Sequence, residues 1–131
     1  MKKKTIISLC LIAVVCFACF APALALQDNR ITPCAIVTFS SGMPKVAGTT
    51  NKYNPYAIAS VGLPEQLSVG FTLYKVVNGN EIYITSDSDG GYGNYFEAEA
   101  VVTLSKGTYK LYAYYRGETK SDGSVTTYNI R

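Results

Sequence analysis

The stretch "FTLYKVVNGNEIYIT", residues 71–85, decides the fold. Two runs rich in β-branched and aromatic residues flank Asn78-Gly79, the dipeptide most typical of a two-residue type I′ hairpin turn. Both central residues of this turn take positive φ, a conformation that asparagine and glycine tolerate best. The sequence therefore predicts an antiparallel hairpin in which Val77 pairs with Asn80.

The register of this hairpin also predicts which side chains are neighbours. Counting back from the turn, Tyr74 lies beside Tyr83, and Leu73 lies beside Ile84. Side chains alternate between the two faces of a strand, so the apolar residues of the first strand share one face. The residues that we expect to point into the core are Leu67, Val69, Phe71 and Leu73.

A second signal is "LSKGTYKLYAYY", residues 104–115. A strand ends at Leu104, a turn follows, and Tyr109 opens the next strand. This spacing matches the tyrosine corner of immunoglobulin-like and fibronectin-type sandwiches, in which the phenol bonds to the upstream backbone. The strand phase agrees, because Tyr109, Leu111 and Ala113 would face the core. The residues that would face outward are Lys110, Tyr112, Tyr114 and Arg116.

The rest of the chain after the first 25 residues also reads as β-structure. Val, Ile, Thr, Tyr and Phe recur in short runs that are separated by Gly, Asn, Asp, Pro and Ser, a pattern typical of strands and turns. The expected strands are 35–40, 45–50, 56–61, 67–77, 81–86, 95–104, 108–116 and 124–130. This number of short strands predicts an all-β fold, an immunoglobulin-like antiparallel β-sandwich of about seven strands.

The first 25 residues predict an export signal. Three lysines follow Met1, residues 5–20 are almost wholly apolar, and Ala23-Leu24-Ala25 is a small-x-small cleavage site. We expect an N-terminal signal helix at residues 1–25 and a single β-sandwich domain at residues 26–131. Two alternatives stay open, an uncleaved membrane anchor and a lipoprotein attached through Cys19.

Cleavage would change the composition of the protein. It leaves 106 of the 131 residues, with nine basic and nine acidic side chains. A near-neutral domain gives no electrostatic reason to expect nucleic acid as a partner, and we expect no stable membrane insertion after cleavage. Cys34 would be the only cysteine, so it is either buried or available for a disulfide between chains.

The absence of histidine limits the enzymatic interpretations. None of the 131 residues is histidine, which removes Ser-His-Asp and Cys-His nucleophile activation and the common histidine metal sites. Glu97 and Glu99 share an outward strand face, a pattern more typical of solvated surface than of a glycosidase pair. "GGYGN", residues 90–94, lacks the Lys-Ser/Thr ending of a phosphate loop. We therefore expect neither catalysis nor a cofactor.

"SDSDGGYGN", residues 86–94, raises the question of a metal site. An EF-hand loop counted from Asp87 would need glycine at Tyr92 and glutamate at Ala98, so the match fails twice. A calcium site of another geometry, built on Asp87, Asp89, the Asn94 carbonyl and Glu97, is the alternative. Because Asp, Ser, Gly and Asn suit turns, we expect a loop here that crosses from one sheet to the other.

Together these features resemble a family of small secreted proteins of Gram-positive bacteria that has no assigned activity. The resemblance rests on the export signal, "RITP" at residues 30–33, "FTLYKVVNGN" at 71–80, the Ser/Gly/Asp loop and "LSKGTYKLYAYY". It implies an immunoglobulin-like sandwich. Residues 51–66 depart from the pattern of this family, which leaves the connection between the second and third strands open.

The predicted register and tyrosine corner place Tyr74, Tyr83, Tyr112 and Tyr114 on the outer face of one sheet. Tyrosines grouped in this way suit stacking on sugars or contact with a protein. We expect an extracellular, non-enzymatic binding or adhesion module, with a cell-wall or host glycan or a surface protein as partner. The alternative is a small secreted effector, toxin-like or bacteriocin-like, that acts on other cells. A third interpretation is strand addition along the edge at residues 124–131.

Overall fold

Every regular element is a β-strand in residues 37–131, the part of the chain that the computed structural model describes. The strands are β1 (Val37–Gly42), β2 (Lys52–Tyr53), β3 (Tyr56–Val77), β4 (Asn80–Glu99), β5 (Val102–Thr103), β6 (Gly107–Gly117) and β7 (Ser121–Ile130). The all-β, antiparallel prediction is confirmed for this range. No helix able to cross a membrane occurs in it. The predicted signal helix, residues 1–25, and Cys34 lie outside the described residues.

β3 is the central strand of the larger sheet. β4 pairs along one side of it, whereas β1 and β6 share the other side. β1 pairs with residues 56–61 of β3, and β6 pairs with residues 67–76. β7 pairs with the outer side of β6, and β2 and β5 form a separate two-stranded sheet.

An irregularity in the middle of β3 bends the larger sheet. Between two regular ladder sections, residues 61–64 of β3 stand opposite Asn94 alone in β4. Extra residues in one strand bend that strand and increase its twist. The two ends of the sheet therefore approach each other, and Phe39 on β1 packs against Tyr115 on β6 with ring centroids 5.0 Å apart.

The core lies where the curled sheet closes on itself. The predicted inward residues of β3 and β6 are almost completely buried, which confirms both strand phases. The largest fully buried side chains are Tyr109, Phe71, Leu67, Leu73, Leu111, Val69 and Pro55. Residues 37–131 contain no cysteine, so removal of this apolar surface from water, at about 25 cal/mol per Å², is the main stabilising contribution in this part of the chain.

The central hairpin forms as predicted at its turn. Asn78 and Gly79 both have positive φ, 51° and 81°, and Val77 pairs with Asn80. The expected pair of Tyr74 with Tyr83 is also present.

The expected pair of Leu73 with Ile84 is wrong. Leu73 pairs with Thr85, because the ladder shifts by one residue after the Tyr74–Tyr83 pair. Ile84 is therefore the additional residue of a β-bulge, which disrupts the ladder locally. Its half-buried side chain packs against the core, and this burial gives the bulge an apolar anchor.

The tyrosine-corner hydrogen bond is present at the start of β6. The Tyr109 hydroxyl donates to the Ser105 carbonyl oxygen at 2.9 Å, and the tyrosine side chain is buried. The bond satisfies a buried phenol and fixes the chain where it enters β6.

The expected strand at residues 45–50 is wrong. Lys45 makes only an isolated bridge, after which the chain turns. The Thr49 hydroxyl donates to the Val46 carbonyl at 2.6 Å, and Gly48 has a φ of 74°. A capped turn with a left-handed glycine cannot continue a ladder, so local hydrogen bonding replaces the strand.

Three other differences from the expected strands exceed a shift of a few residues at one end. Residues 56–77 form one strand rather than two, and β4 runs through the expected loop at residues 86–94. The expected strand at 95–104 stops at Glu99, and the short β5 pairs with β2 instead. Pairing with a long neighbouring strand outweighs the weak turn preference of Ser, Asp and Gly, because strand formation depends strongly on context.

Replacement of Tyr109 tests the tyrosine corner. We expect Tyr109→Phe to lower the free energy of unfolding by about 1 to 2 kcal/mol, because it leaves the Ser105 carbonyl without its donor. Urea denaturation measures this change. Tyr95→Phe is the matched control at an exposed position, and it should change stability by less than about 0.5 kcal/mol. Equal effects of the two substitutions would contradict a stabilising corner.

Candidate functional site

The four predicted tyrosines lie on one face of the larger sheet. Tyr74 on β3, and Tyr112 and Tyr114 on β6, alternate with buried core residues, so their side chains point outward. Tyr83 on β4 is the ladder partner of Tyr74 and shares its face. We call the outward surface of Tyr74, Tyr83, Tyr112 and Tyr114 the tyrosine face.

Three of these tyrosines contact one another through their rings. Tyr74 lies between Tyr83, at a centroid distance of 6.2 Å and an interplanar angle of 78°, and Tyr112, at 5.5 Å and 86°. Both contacts are edge-to-face, the arrangement that the charge distribution of aromatic rings favours. Tyr83 is 58% exposed, so the group presents aromatic surface to solvent.

Tyr114 stands two residues after Tyr112 on β6, and its ring packs on the sheet itself. Its ladder partner on β3 is Gly70, and a Cβ atom added to Gly70 would lie 2.6 Å from the Tyr114 hydroxyl oxygen. The ring therefore covers the space that the glycine leaves. The guanidinium of Arg116 stands 5.4 Å from the ring centroid, a cation–π distance.

Glu81 joins the tyrosine face, although the sequence interpretation did not include it. One of its carboxylate oxygens accepts hydrogen bonds from the Tyr112 hydroxyl at 2.7 Å and from the Lys110 ammonium at 2.9 Å. The predicted register contained the signal for this contact. Glu81 stands two residues before Tyr83, so both side chains point to the same face of β4. Lys110 and Tyr112 share a face of β6 for the same reason.

These hydrogen bonds shift the pKa of all three groups. The bond from Tyr112, followed by that from Lys110, lowers the pKa of Glu81. The same bonds raise the pKa of Tyr112 and of Lys110. A lowered carboxyl pKa gives stabilisation that is lost as pH falls through it, and raised phenol and ammonium pKa values give stabilisation that is lost as pH rises through them. The network is therefore intact throughout the neutral range.

A polar cleft of about 270 Å³ adjoins the tyrosines. It is lined by Phe71, Thr72, Ser86, Asp87, Ser88 and Tyr114. The Ser86 hydroxyl lies 3.0 Å from the Tyr83 hydroxyl, so the cleft extends from Tyr114 to the tyrosine pair of the hairpin. Its volume falls just below the roughly 300–1,000 Å³ of pockets for drug-sized ligands.

Asp87 and Asp89 lie in β4 and not in a loop between sheets, so that prediction is wrong. Their ladder partners are Phe71 and Val69, which places both carboxylates on the core side of the strand. The Asp87 carboxylate accepts the N–H of Glu99 at 3.0 Å. Residues 86–93 of β4 stay paired with β3 while the strand curves. The glycines around position 91 permit this curvature, because glycine adopts backbone conformations that other residues rarely take.

Asp89, two residues further along β4, also accepts backbone N–H groups through its carboxylate. One of its oxygens accepts the N–H of Glu97 at 3.3 Å, and the other accepts the N–H of Gly90 at 2.9 Å. The two aspartates thus satisfy backbone donors on the otherwise unpaired edge of the second half of β4.

The metal interpretation of this stretch receives no support from the surroundings of the aspartates. Residues 37–131 hold no group of three His, Cys, Asp or Glu side chains placed to bind a metal ion. Glu97, another residue of the alternative calcium site, accepts the Tyr95 hydroxyl at 2.9 Å. The oxygens of Asp87 and Asp89 serve as backbone acceptors.

No family model and no curated protein sequence matches the chain. The resemblance to small secreted Gram-positive proteins stays a prediction.

Removal of the Glu81 charge tests the network beside the tyrosines. We expect Glu81→Gln to lower the pKa of Tyr112, because the carboxylate no longer opposes ionisation of the phenol. Titration of the tyrosine Cζ signals by NMR measures this shift.

Glu97→Gln is the matched control, because Glu97 raises the pKa of Tyr95 through a similar hydrogen bond. It should lower the pKa of Tyr95 and leave that of Tyr112 unchanged. A Tyr112 titration that is the same with and without Glu81 would show that the network does not form in solution.

Calcium addition tests the interpretation of the two aspartates. About 10 mM calcium exceeds the Kd of weak extracellular calcium modules, yet we expect an unchanged melting temperature. The reason is that the oxygens of Asp87 and Asp89 already accept backbone donors. A rise of several degrees that disappears in an Asp87→Ala, Asp89→Ala variant would instead establish a metal site.

Proposed function

We propose that this protein is a secreted, immunoglobulin-like β-sandwich that acts as a non-enzymatic binding or adhesion module through its tyrosine face. The observation that carries this proposal is the edge-to-face group in which Tyr74 lies between Tyr83 and Tyr112. Such a group presents apolar ring surface together with polar hydroxyls, the combination enriched at recognition sites.

A glycan of a cell wall or host surface is the ligand class that we favour. Sugar rings have an apolar face that stacks on aromatic rings, and hydroxyls that need hydrogen-bond partners. The tyrosine face offers the rings, and the adjoining cleft offers the hydroxyls of Thr72, Ser86 and Ser88, each able to donate and to accept. A purely apolar protein contact would not need so polar a cleft.

The charged groups at the margin fit the same proposal. Glu81 and Lys110 form an ion pair with N–O distance 2.9 Å, and Arg116 stacks on Tyr114. Neither sign of charge dominates this surface, which suits a neutral or mixed ligand better than a polyanion.

The sandwich and the extracellular location rest on separate arguments. The Tyr109–Ser105 hydrogen bond resembles the tyrosine corner of immunoglobulin-like domains and supports the sandwich, as does the packing of β1 against β6 in the curled sheet. The signal-like residues 1–25 support export.

Retention on a surface tests the proposed function. We would incubate the purified protein with cell-wall material and a panel of polysaccharides, and compare it with a Tyr112→Ala, Tyr114→Ala variant. We expect at least a tenfold loss of retention in the variant, because stacking on aromatic rings is worth about 1 kcal/mol or more per ring.

A Tyr92→Ala, Tyr95→Ala variant is the matched control, because these two tyrosines are exposed, 71% and 53%, but lie outside the tyrosine face. Its retention should equal that of the unchanged protein, and all three proteins should be folded at the temperature of the assay. Equal retention of all three proteins would contradict the proposed contact. Dose-dependent killing of neighbouring bacteria without any retention would support the effector alternative.

A further inference from the structure

The outer edge of β7 is a long, unpaired strand edge. β7 pairs with β6 on one side, and no other strand within residues 37–131 pairs with its second side. Its ladder with β6 runs without a bulge from Ser121 to Ile130. A bulge-free edge of this length offers a row of backbone donors and acceptors to another extended chain.

The hydrogen bonds around the β6–β7 turn show which residues point outward. The Gly117 N–H donates to the Lys120 carbonyl across this turn at 2.8 Å. N–H directions alternate along a strand, so the odd-numbered residues of β6 face β7 and pair with its even-numbered residues. The odd-numbered residues of β7 therefore direct both N–H and C=O outward. Those between the turn and the end of the strand are Gly123, Val125, Thr127 and Asn129.

The β4 edge of the same sheet is protected in its second half, in contrast to β7. In the second half of β4, the carboxylates of Asp87 and Asp89 accept the outward N–H groups of Glu99 and Glu97. Side chains that cover edge donors in this way prevent unwanted pairing with other chains.

β7 has almost none of these protective features. Asp122 accepts the Gly123 N–H at 2.8 Å, but residues 123–130 contain no charged side chain and no proline. Val125 is 57% exposed on this strand. β1 contacts β7 through the Ser41 and Ser124 hydroxyls, 3.2 Å apart. Within residues 37–131, no backbone hydrogen bond engages the outward groups of Val125, Thr127 and Asn129.

We propose that a second copy of this chain pairs with β7 in antiparallel orientation, β7 against β7, to form a symmetric dimer. Antiparallel pairing makes one edge complementary to itself, as a two-fold interface requires. Asp122 lies near one end of β7 and Arg131 follows the other end, so antiparallel pairing brings Asp122 of each copy toward Arg131 of the other. A parallel copy would instead place like charges side by side.

The proposed pairing determines where the two tyrosine faces lie. The outward-directed residues of one β7 pair with those of the other. Two identical strands that pair antiparallel within one sheet are related by a two-fold axis perpendicular to that sheet. Val125 is the ladder partner of Tyr112, so the outward faces of both copies lie on the same side. The dimer is then a continuous sheet with two tyrosine faces, which is suited to repetitive ligands through avidity. The dimer itself does not depend on the proposed function.

Sedimentation of the purified protein at increasing concentration tests the dimer. Cys34 is kept reduced, so that a disulfide cannot account for association. We expect the weight-average mass to rise toward twice the monomer mass. We expect Val125→Lys to weaken this association at least tenfold, since lysine on an edge strand opposes edge pairing.

Two further variants separate the edge from general effects. Val101→Lys changes an exposed valine, 63% accessible, outside β7, and should associate like the unchanged protein. Thr127→Pro removes an outward N–H and should abolish association without unfolding, because proline is tolerated at the solvent side of an edge strand. Thr126→Pro removes an N–H directed to β6 and should lower the melting temperature.

Three results would overturn the proposal. The first is a mass that stays at that of the monomer up to about 1 mM. The second is equal weakening by Val101→Lys and Val125→Lys. The third is association that survives in a folded Thr127→Pro variant.

Discussion

Backbone pairing along β3 is the constraint on which the rest of the structure depends. This single strand of 22 residues supplies the ladder partners of β1, β4 and β6. A slip of one residue against any of them would move the apolar side chains of β3 from the core to solvent. The Asn78-Gly79 turn fixes the register with β4 at one end, and Gly70 beneath Tyr114 requires close contact with β6 in the middle.

Features set by a few adjacent residues could be predicted from the sequence. The type I′ turn needs only Asn78-Gly79, and alternation from Tyr109 to Ala113 is a property of one strand. The continuity of β4 through residues 86–94 could not be predicted. The carboxylates of Asp87 and Asp89 bond backbone groups that lie eight to twelve residues later, and these groups approach only after the strand has curled. The bulge at Ile84 has a similar origin, because burial of its side chain depends on core neighbours distant in sequence.

The candidate site also has features that the sequence predicts and features that it does not. The common facing of the four tyrosines follows from strand phase, so the sequence predicts it. Their ring contacts and the attachment of Tyr112 to Glu81 depend on side-chain conformations across three strands. The position of Tyr114 over Gly70 is a further example, since glycine in a strand gives no direct signal of the ring that covers it.

The arrangement of Tyr74 between Tyr83 and Tyr112 has a consequence for binding thermodynamics. Each neighbouring ring restricts the rotamers of Tyr74, and the Glu81 hydrogen bond restricts Tyr112. Immobilising a free side chain on binding costs about 0.5–1.5 kcal/mol. Here much of that entropy is already lost during folding. A ligand that binds the tyrosine face, as proposed, would meet a preorganised surface, and its affinity would be governed by desolvation and contact rather than by rearrangement of the protein.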